Sequence, residues 1–374
     1  MHRNRFGTFV VMLLVLAACA TGTETTASTT AATTATTAAE ASSTTTEASA
    51  DTTTTAAETT TTAQPTETVS IAVERFVTHE TIFGFMQTYC PENGYGIEIE
   101  HVLGSARYLD RIVLLQQKDI DLAASGYATI PVVAEQDLPI VTIAGTNLGA
   151  TDLIVRADVE INDWADLVGK KIGTPTGSLA THSVVIGLEE NGIDPSQVEI
   201  LSMVPGPQAT VALVRGELDA VAGWEPWTSQ VVVDQLGYIP FDYTDTGVGP
   251  LNGALQVHRD NLGEPKIARF VECMVAAAEH LNSNPEEHVA AMREWSGLSQ
   301  AVAEHASSRF VYDTNIYQAN TQSYADIMFN FDLLREDISD KVPDVIDYAL
   351  LEAATGKSAD DLGRGDMAPN PPNR

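Results

Sequence analysis

The chain has 374 residues, of which 44% are hydrophobic and 6% aromatic, enough to pack a core. Its 51 acidic residues against 20 basic ones give a formal net charge of -31, which makes nucleic acid and anionic lipid head groups poor partners. Solubility outside the cell or in a salty habitat accounts for this acidity better than an acidic binding face does.

The chain opens MHRNRFGTFVVMLLVLAAC: a basic start, an apolar run from Phe9 to Ala18, then Cys19. That is the layout of a signal peptide, short for a bilayer span. Leu16-Ala17-Ala18-Cys19 resembles the lipobox of bacterial lipoproteins, which implies a lipid on Cys19 and an anchor without a transmembrane helix; ordinary secretion with a chance cysteine is the alternative. Residues 20–67 are almost wholly Thr, Ala, Ser and Glu. Such a segment cannot bury enough apolar surface to offset its ordering entropy, so it is expected to be a disordered tether.

The remaining 300 or so residues suit one large or two medium α/β domains. Val69 to Glu74 alternates as a strand, and Thr78 to Tyr89 continues as a helix. Ile97 to Val102 reads as a second strand, Ser105 as the cap of a helix running to Gln117, and Ile120 to Ala124 as a short buried strand entering Ser125-Gly126-Tyr127. Alternation of this kind predicts a doubly wound sheet with ligand loops at the strand C-termini. Pro139 to Gly145 and Asp152 to Arg156 are extended runs suited to crossing between lobes, and Asn162 to Val168 is a short helix.

Lys170 to Thr174 opens a second α/β unit. The stretch from Gly173 to Trp227 supplies its βα repeats, with two turns on one sheet edge, each presenting a helix N-terminus. Tyr238 to Tyr243 and Ala254 to His258 read as the strands that close this unit and return to the first lobe. Beyond Arg259 the pattern is helices alone: Pro265 to Leu281, Pro285 to Trp295, Ser299 to Ala306, Ile316 to Phe331, and one near Asp344 to Ala353. Phe270, Met274, Ala277 and Leu281 keep the spacing of a helix face packed on the first lobe. The tail from Gly363 is expected to be disordered, and its Arg-Gly-Asp triplet is read as a chance match.

Of three cysteines, Cys90 and Cys273 remain once Cys19 is set aside. An oxidising compartment would let them pair, but spacing does not show whether they approach. Neither belongs to a CxxC or lies near a histidine, so no metal site is expected.

Several pieces of the Gly173 to Trp227 stretch resemble the nitrate/sulfonate/taurine type of ABC-transporter solute-binding protein. They are Gly173, Gly177 and Ser178; Pro205, Gln208 and Ala209; Leu213 and Gly216; Asp219 and Ala220; and Trp224-Glu225-Pro226. YLDRIVLLQQKDIDLAASGY and DLPIVTIAG extend the likeness through the first lobe. Gln208 and Glu225 stand where that family often has Asp. The resemblance implies an α/β, two-lobed periplasmic-binding-protein fold of type II, each lobe a doubly wound mixed sheet, with a helical C-terminal region. It divides the body into lobe 1 (residues 68–150), lobe 2 (151–248), a return to lobe 1 with the C-terminal helices (249–356), and a tail (357–374). It also implies capture of a small-molecule solute, anionic or zwitterionic, for a membrane permease and its ATPase, by a monomer without cofactor or catalysis. The alternatives are a thiamine-pyrimidine-type binder or enzyme of the same fold, and a sensing module for a receptor; the enzyme lacks its cysteine-rich cluster here.

Candidate ligand residues follow. Thr176, Gly177, Ser178, Thr181 and His182 form an anion seat at a helix N-terminus, with plain capping by Ser178 as the alternative. Ser125, Gly126 and Tyr127 could face it from the other lobe, or Tyr127 could pack into the core. Arg75 and His79 could bring positive charge or be solvated surface. Trp224 could stack over a planar or cationic group, while Trp227 suits a core plug and Pro226 a first helical position. If Glu225 faces the cleft, an amine-bearing solute such as an aminosulfonate fits better than nitrate; Gln208 and Glu225 are where selectivity is expected.

Overall fold

The computed structural model describes residues 66–103 and 108–371; the signal segment, Cys19, the body of the tether and Ser105 lie outside them. The strands are β1 (Glu67–Val73), β2 (Ile97–Leu103), β3 (Leu122–Gly126), β4 (Ile140–Gly149), β5 (Thr151–Arg156), β6 (Lys171–Thr174), β7 (Glu199–Ser202), β8 (Ala220–Trp224), β9 (Gly237–Tyr238), β10 (Leu251–His258) and β11 (Phe310–Tyr312). The α-helices are α1 (Thr81–Glu92), α2 (Tyr108–Gln117), α3 (Thr129–Glu135), α4 (Leu179–Glu190), α5 (Pro207–Val214), α6 (Trp227–Val233), α7 (Pro265–Ser283), α8 (Pro285–Ser296), α9 (Gln300–Ser307), α10 (Gln318–Asn330) and α11 (Ala349–Thr355).

Two sheets form, in the orders β11-β4-β10-β3-β1-β2 and β7-β6-β8-β5-β9. β1 pairs in parallel with β2 and β3, and β6 with β7 and β8. β10 and β5 run antiparallel to β3 and β8. The chain leaves the first sheet along β4, turns where Gly149 and Ala150 both take positive φ (+89° and +66°), and enters the second along β5. It returns on β10. β4 is buried along its whole length and β5 along all but its last residue, as strands covered on both faces are. One large apolar cluster surrounds the first sheet, and two smaller ones lie against the second. These are the two lobes of a periplasmic-binding-protein fold.

On α7, Phe270, Met274, Ala277 and Leu281 are all fully buried, as the 3.6-residue spacing predicts. Cys90 on α1 is bonded to Cys273 on α7, with Cα atoms 5.8 Å apart. Four details differ from the sequence reading. A strand, β11, interrupts the C-terminal helices and pairs with β4; three residues are too few to show alternation. α3 arises in a segment without a helical signature, packed by Ile130, Val133 and Ala134. The closing strand expected over Tyr238 to Tyr243 is only Gly237–Tyr238, because Pro240 removes a ladder donor. Finally, the tail is tied to the body as far as residue 371: Leu362 is buried, its carbonyl accepts from Ile316 N–H at 2.9 Å, and Ala368 N–H donates to Asn320 Oδ1 at 3.1 Å. One buried leucine and scattered backbone bonds leave no periodic trace in sequence.

Candidate functional site: the junction of the two lobes

Parallel strands send their C-terminal loops to one edge. In the first lobe these loops follow β1 and β3; in the second they follow β6, β7 and β8. The two sets meet. Thr78 N–H, just past β1, points to Glu225 O, just past β8, at 3.5 Å. Farther along the junction, Ser229 Oγ on α6 lies 2.7 Å from His305 Nδ1 on α9, and His182 on α4 is hydrogen-bonded to the Tyr324 hydroxyl on α10.

The second-lobe seat is built around Gly177, whose φ of +71° suits a residue without Cβ. Ser178 then caps α4: its Oγ accepts from Thr181 N–H at 3.3 Å and donates to Pro175 O at 2.7 Å. Thr181 Oγ1 lies 3.2 Å from Thr174 Oγ1, and the exposed Thr176 hydroxyl donates to Ser202 Oγ at 2.7 Å. Hydroxyls and helix N–H groups thus collect at an accessible turn, the chemistry an oxyanion needs.

The first-lobe side is densely polar. His79 is buried with Nε2 3.1 Å from the Tyr108 hydroxyl. The Tyr108 ring covers Gly126 so closely that a Cβ there would lie 2.6 Å from it, and the Arg111 guanidinium sits 5.2 Å from the centroid of the same ring. Arg111 Nη1 donates to Glu80 Oε1 at 2.7 Å and to Ala124 O at 2.6 Å. Burial, then the Arg111 charge, holds the His79 pKa down near 3, so its imidazole is neutral. Thr78 Oγ1 and His79 Nδ1 are buried without a hydrogen-bond partner among the described residues. Buried polar atoms in this state are rare and call for a partner.

Glu225, wholly inaccessible, accepts Ser229 N–H on Oε2 at 3.1 Å. Burial, reinforced by Asp152, raises its pKa to about 7. Asp152 is itself paired with Arg309, at 2.5 Å and 3.2 Å.

Other candidates are placed elsewhere, for reasons of packing. Ser125 Oγ is buried against Gln256 Oε1 at 2.7 Å, and Tyr127 points into the core, donating to Asn315 O at 3.1 Å; only Gly126 remains at the loop, as the surface beneath Tyr108. Tyr127 is therefore the packed turn residue. His182 is closed off by Tyr324, and Arg75 is exposed with its guanidinium 5.6 Å from the Trp295 ring. Gln208 is exposed in the first turn of α5. Trp224 and Trp227 are both half-buried; Trp227 lines an apolar crevice with Pro205, Leu213 and Val231. Pro226 precedes the first residue of α6 by one position. Among the described residues, no group of three His, Cys, Asp or Glu side chains could hold a metal ion.

Thr78, Glu80, Tyr108, Arg111, Asp152 and Arg309 escaped the sequence reading. Two left a signal: Arg111 shares the inward stripe of α2 with Tyr108, Ile112 and Leu115, and Asp152 stands second in a buried strand, just before the apolar run Leu153 to Val155. A charge on a buried face needs a partner.

Burial depresses five histidines, His101 and His305 among them, with His79 held to about 3 and His182 and His288 to about 4 each. The unfolded chain then takes these protons first, so stability is full above about pH 6.5 and falls as pH drops toward the folded values. Glu225 opposes this: its raised pKa adds stability below the unfolded value near 4.5 that is lost as pH rises through about 7. Urea unfolding of a His182→Asn variant should show a stability difference between about pH 7 and pH 4.5 that is about 2–3 kcal/mol smaller than in the wild type; an unchanged difference would refute the assignment.

Comparison with known proteins agrees with this architecture. The alkanesulfonate-binding protein SsuA from Xanthomonas axonopodis pv. citri, solved bound to MOPS, matches 77% of this chain and 100% of its own with a TM-score of 0.64 at 18% identity. The periplasmic nitrate-binding protein NrtA from Synechocystis PCC 6803 matches 81% and 92% with a TM-score of 0.67 at 14% identity. The fold is therefore that of the periplasmic binding proteins. Residues 92–288 match the family described as NMT1/THI5 like, and the chain belongs to that family. The taurine-binding periplasmic protein of Escherichia coli (strain K12) is 27% identical over 197 residues, which are 50% of this chain and 60% of that protein. The match thus spans about three fifths of that curated relative's length.

Proposed function

We propose that the chain is an extracytoplasmic solute-binding protein of an ABC importer, which holds a small anionic or zwitterionic solute between its lobes and passes it to a permease and ATPase. It acts as a monomer anchored by a lipid on Cys19, without catalysis. The observation that carries this reading is the meeting of loops from two separate sheets at Thr78 and Glu225, with buried polar atoms of Thr78 and His79 left for a ligand or water to satisfy. A capped helix terminus with a ring of hydroxyls lies on the second lobe. Relatives named for binding taurine, alkanesulfonate and nitrate support the solute class.

The buried Glu225 carboxyl changes the balance within that class. Wholly buried, with its pKa raised to about 7 and Oε2 taken by Ser229 N–H, it pairs poorly with an ammonium, so the sulfonate or nitrate group is the recognised feature. A thermal-shift panel of taurine, an alkanesulfonate, nitrate, bicarbonate and an aminopyrimidine tests the proposal. A solute present at about a hundred times its Kd should add about 2.7 kcal/mol of stability. No shift with any of the five would overturn the assignment.

A further inference from the structure

We propose that Glu225 is a proton-binding site linked to solute capture: closing the lobes loads one proton onto its carboxyl, and parting them releases it. The inference rests on the solute-binding reading above, and its ground is a count of buried charges at the lobe junction. Asp152 on β5 and Glu225 after β8 are both wholly or almost wholly buried. Strand register brings them near each other, since Asp152 is opposite Gly223 and Glu225 N–H bonds Ala150 O at 3.0 Å. The first lobe supplies one guanidinium to this place. Arg309 directs both Nη2 and Nε to Asp152, and its carbonyl accepts from Ala150 N–H at 3.0 Å.

The other groups around Glu225 do not supply a second positive charge. His305 on α9 faces Ser229 Oγ, and burial, then the Arg309 charge, lowers its pKa from the ordinary value. On the β1 side, His79 is neutral, and behind it Arg111 is matched by Glu80. Asp242, which also acts on Arg309, adds negative charge. Two buried carboxyl groups therefore stand near one guanidinium that is committed to Asp152, and a proton on Glu225 removes the excess charge far more cheaply than burying a second carboxylate. Its surroundings push the group in that direction. Because α9, Arg309 and Thr78 belong to the first lobe while Glu225 belongs to the second, separating the lobes admits water to the carboxyl and returns it toward ordinary acidity.

Two measurements on the full chain decide the matter. The first is infrared spectroscopy at about pH 6: saturating taurine should bring up the carbonyl stretch of a protonated carboxyl that is absent from the solute-free protein, from Glu225→Gln with taurine, and from Asp152→Asn with taurine, where Arg309 is freed for Glu225. Absence of the band from the taurine-saturated wild type overturns the proposal. The second is taurine titration calorimetry in buffers of different ionisation enthalpy. Close to one proton should be taken up per taurine at about pH 6, affinity should fall about tenfold by pH 8.5, and Glu225→Gln should bind with no such pH dependence. Taurine binding without proton uptake also overturns the proposal. Failure of taurine to bind counts against the solute assignment and, with it, this linkage, whereas taurine binding without the band or the proton uptake counts against the linkage alone.

Discussion

Replacing Arg111 by Met should cost about 3–5 kcal/mol of folding stability, because it leaves Glu80 as an uncompensated buried charge. Both side chains are almost completely inaccessible. Glu80 Oε2 also accepts Glu74 N–H at 2.6 Å, so the same carboxylate closes the turn by which the chain leaves β1. Burial raises the Glu80 pKa while the Arg111 charge and hydrogen bond lower it; without Arg111 the Glu74 N–H bond is left to oppose that rise, and the carboxyl protonates or pulls the turn toward solvent. Urea unfolding should show a lower midpoint at an unchanged slope. The double variant Arg111→Met, Glu80→Gln should recover much of the loss, since a neutral amide can keep the Glu74 bond. Equal losses in the single and double variants would assign the effect to packing against Tyr108 and not to charge.

Removing the Cys90–Cys273 bond should be about as costly. The crosslink closes a loop of 183 residues, for which loop-closure entropy in the unfolded chain gives an upper value of about 5 kcal/mol. It joins α1 to α7, and both cysteines are buried, so the bond fastens the two helices that cover one face of the first sheet. Cys90→Ala with Cys273→Ala should lower the urea midpoint substantially without altering the solute preference, because neither residue lies at the lobe junction. A loss below about 1 kcal/mol would show that the unfolded chain is already compact enough for the crosslink to matter little.

Much of the fold could be read locally. The inward face of α7, the alternating β1 and the Ser178 cap before α4 follow from period and capping chemistry, which depend on residues within a turn or two. The candidate site was legible only in part. The turn at Gly177 and the position of Glu225 at the end of β8 were visible. His182 was not recognisable as a partner of Tyr324, because the two are 142 residues apart. Ser125 and Tyr127 show the same limit from the other side. A strand end can send its last side chains into a cleft or into the core, and here Gln256 on β10 and the Asn315 carbonyl draw them inward.

The amino-acid sequence by itself determined most of the strands and helices, the two βα units, and the helix terminus that Gly177 opens and Ser178 caps. Only the tertiary structure decided which charges are matched: Glu80 with Arg111 across 31 residues, Asp152 with Arg309 across 157, and Glu225 left beside them with no cation of its own. Periodicity records which face of an element is buried, because that depends on neighbours one turn away. What lies opposite that face depends on the path of the whole chain, and at the lobe junction that path sets the protonation of Glu225.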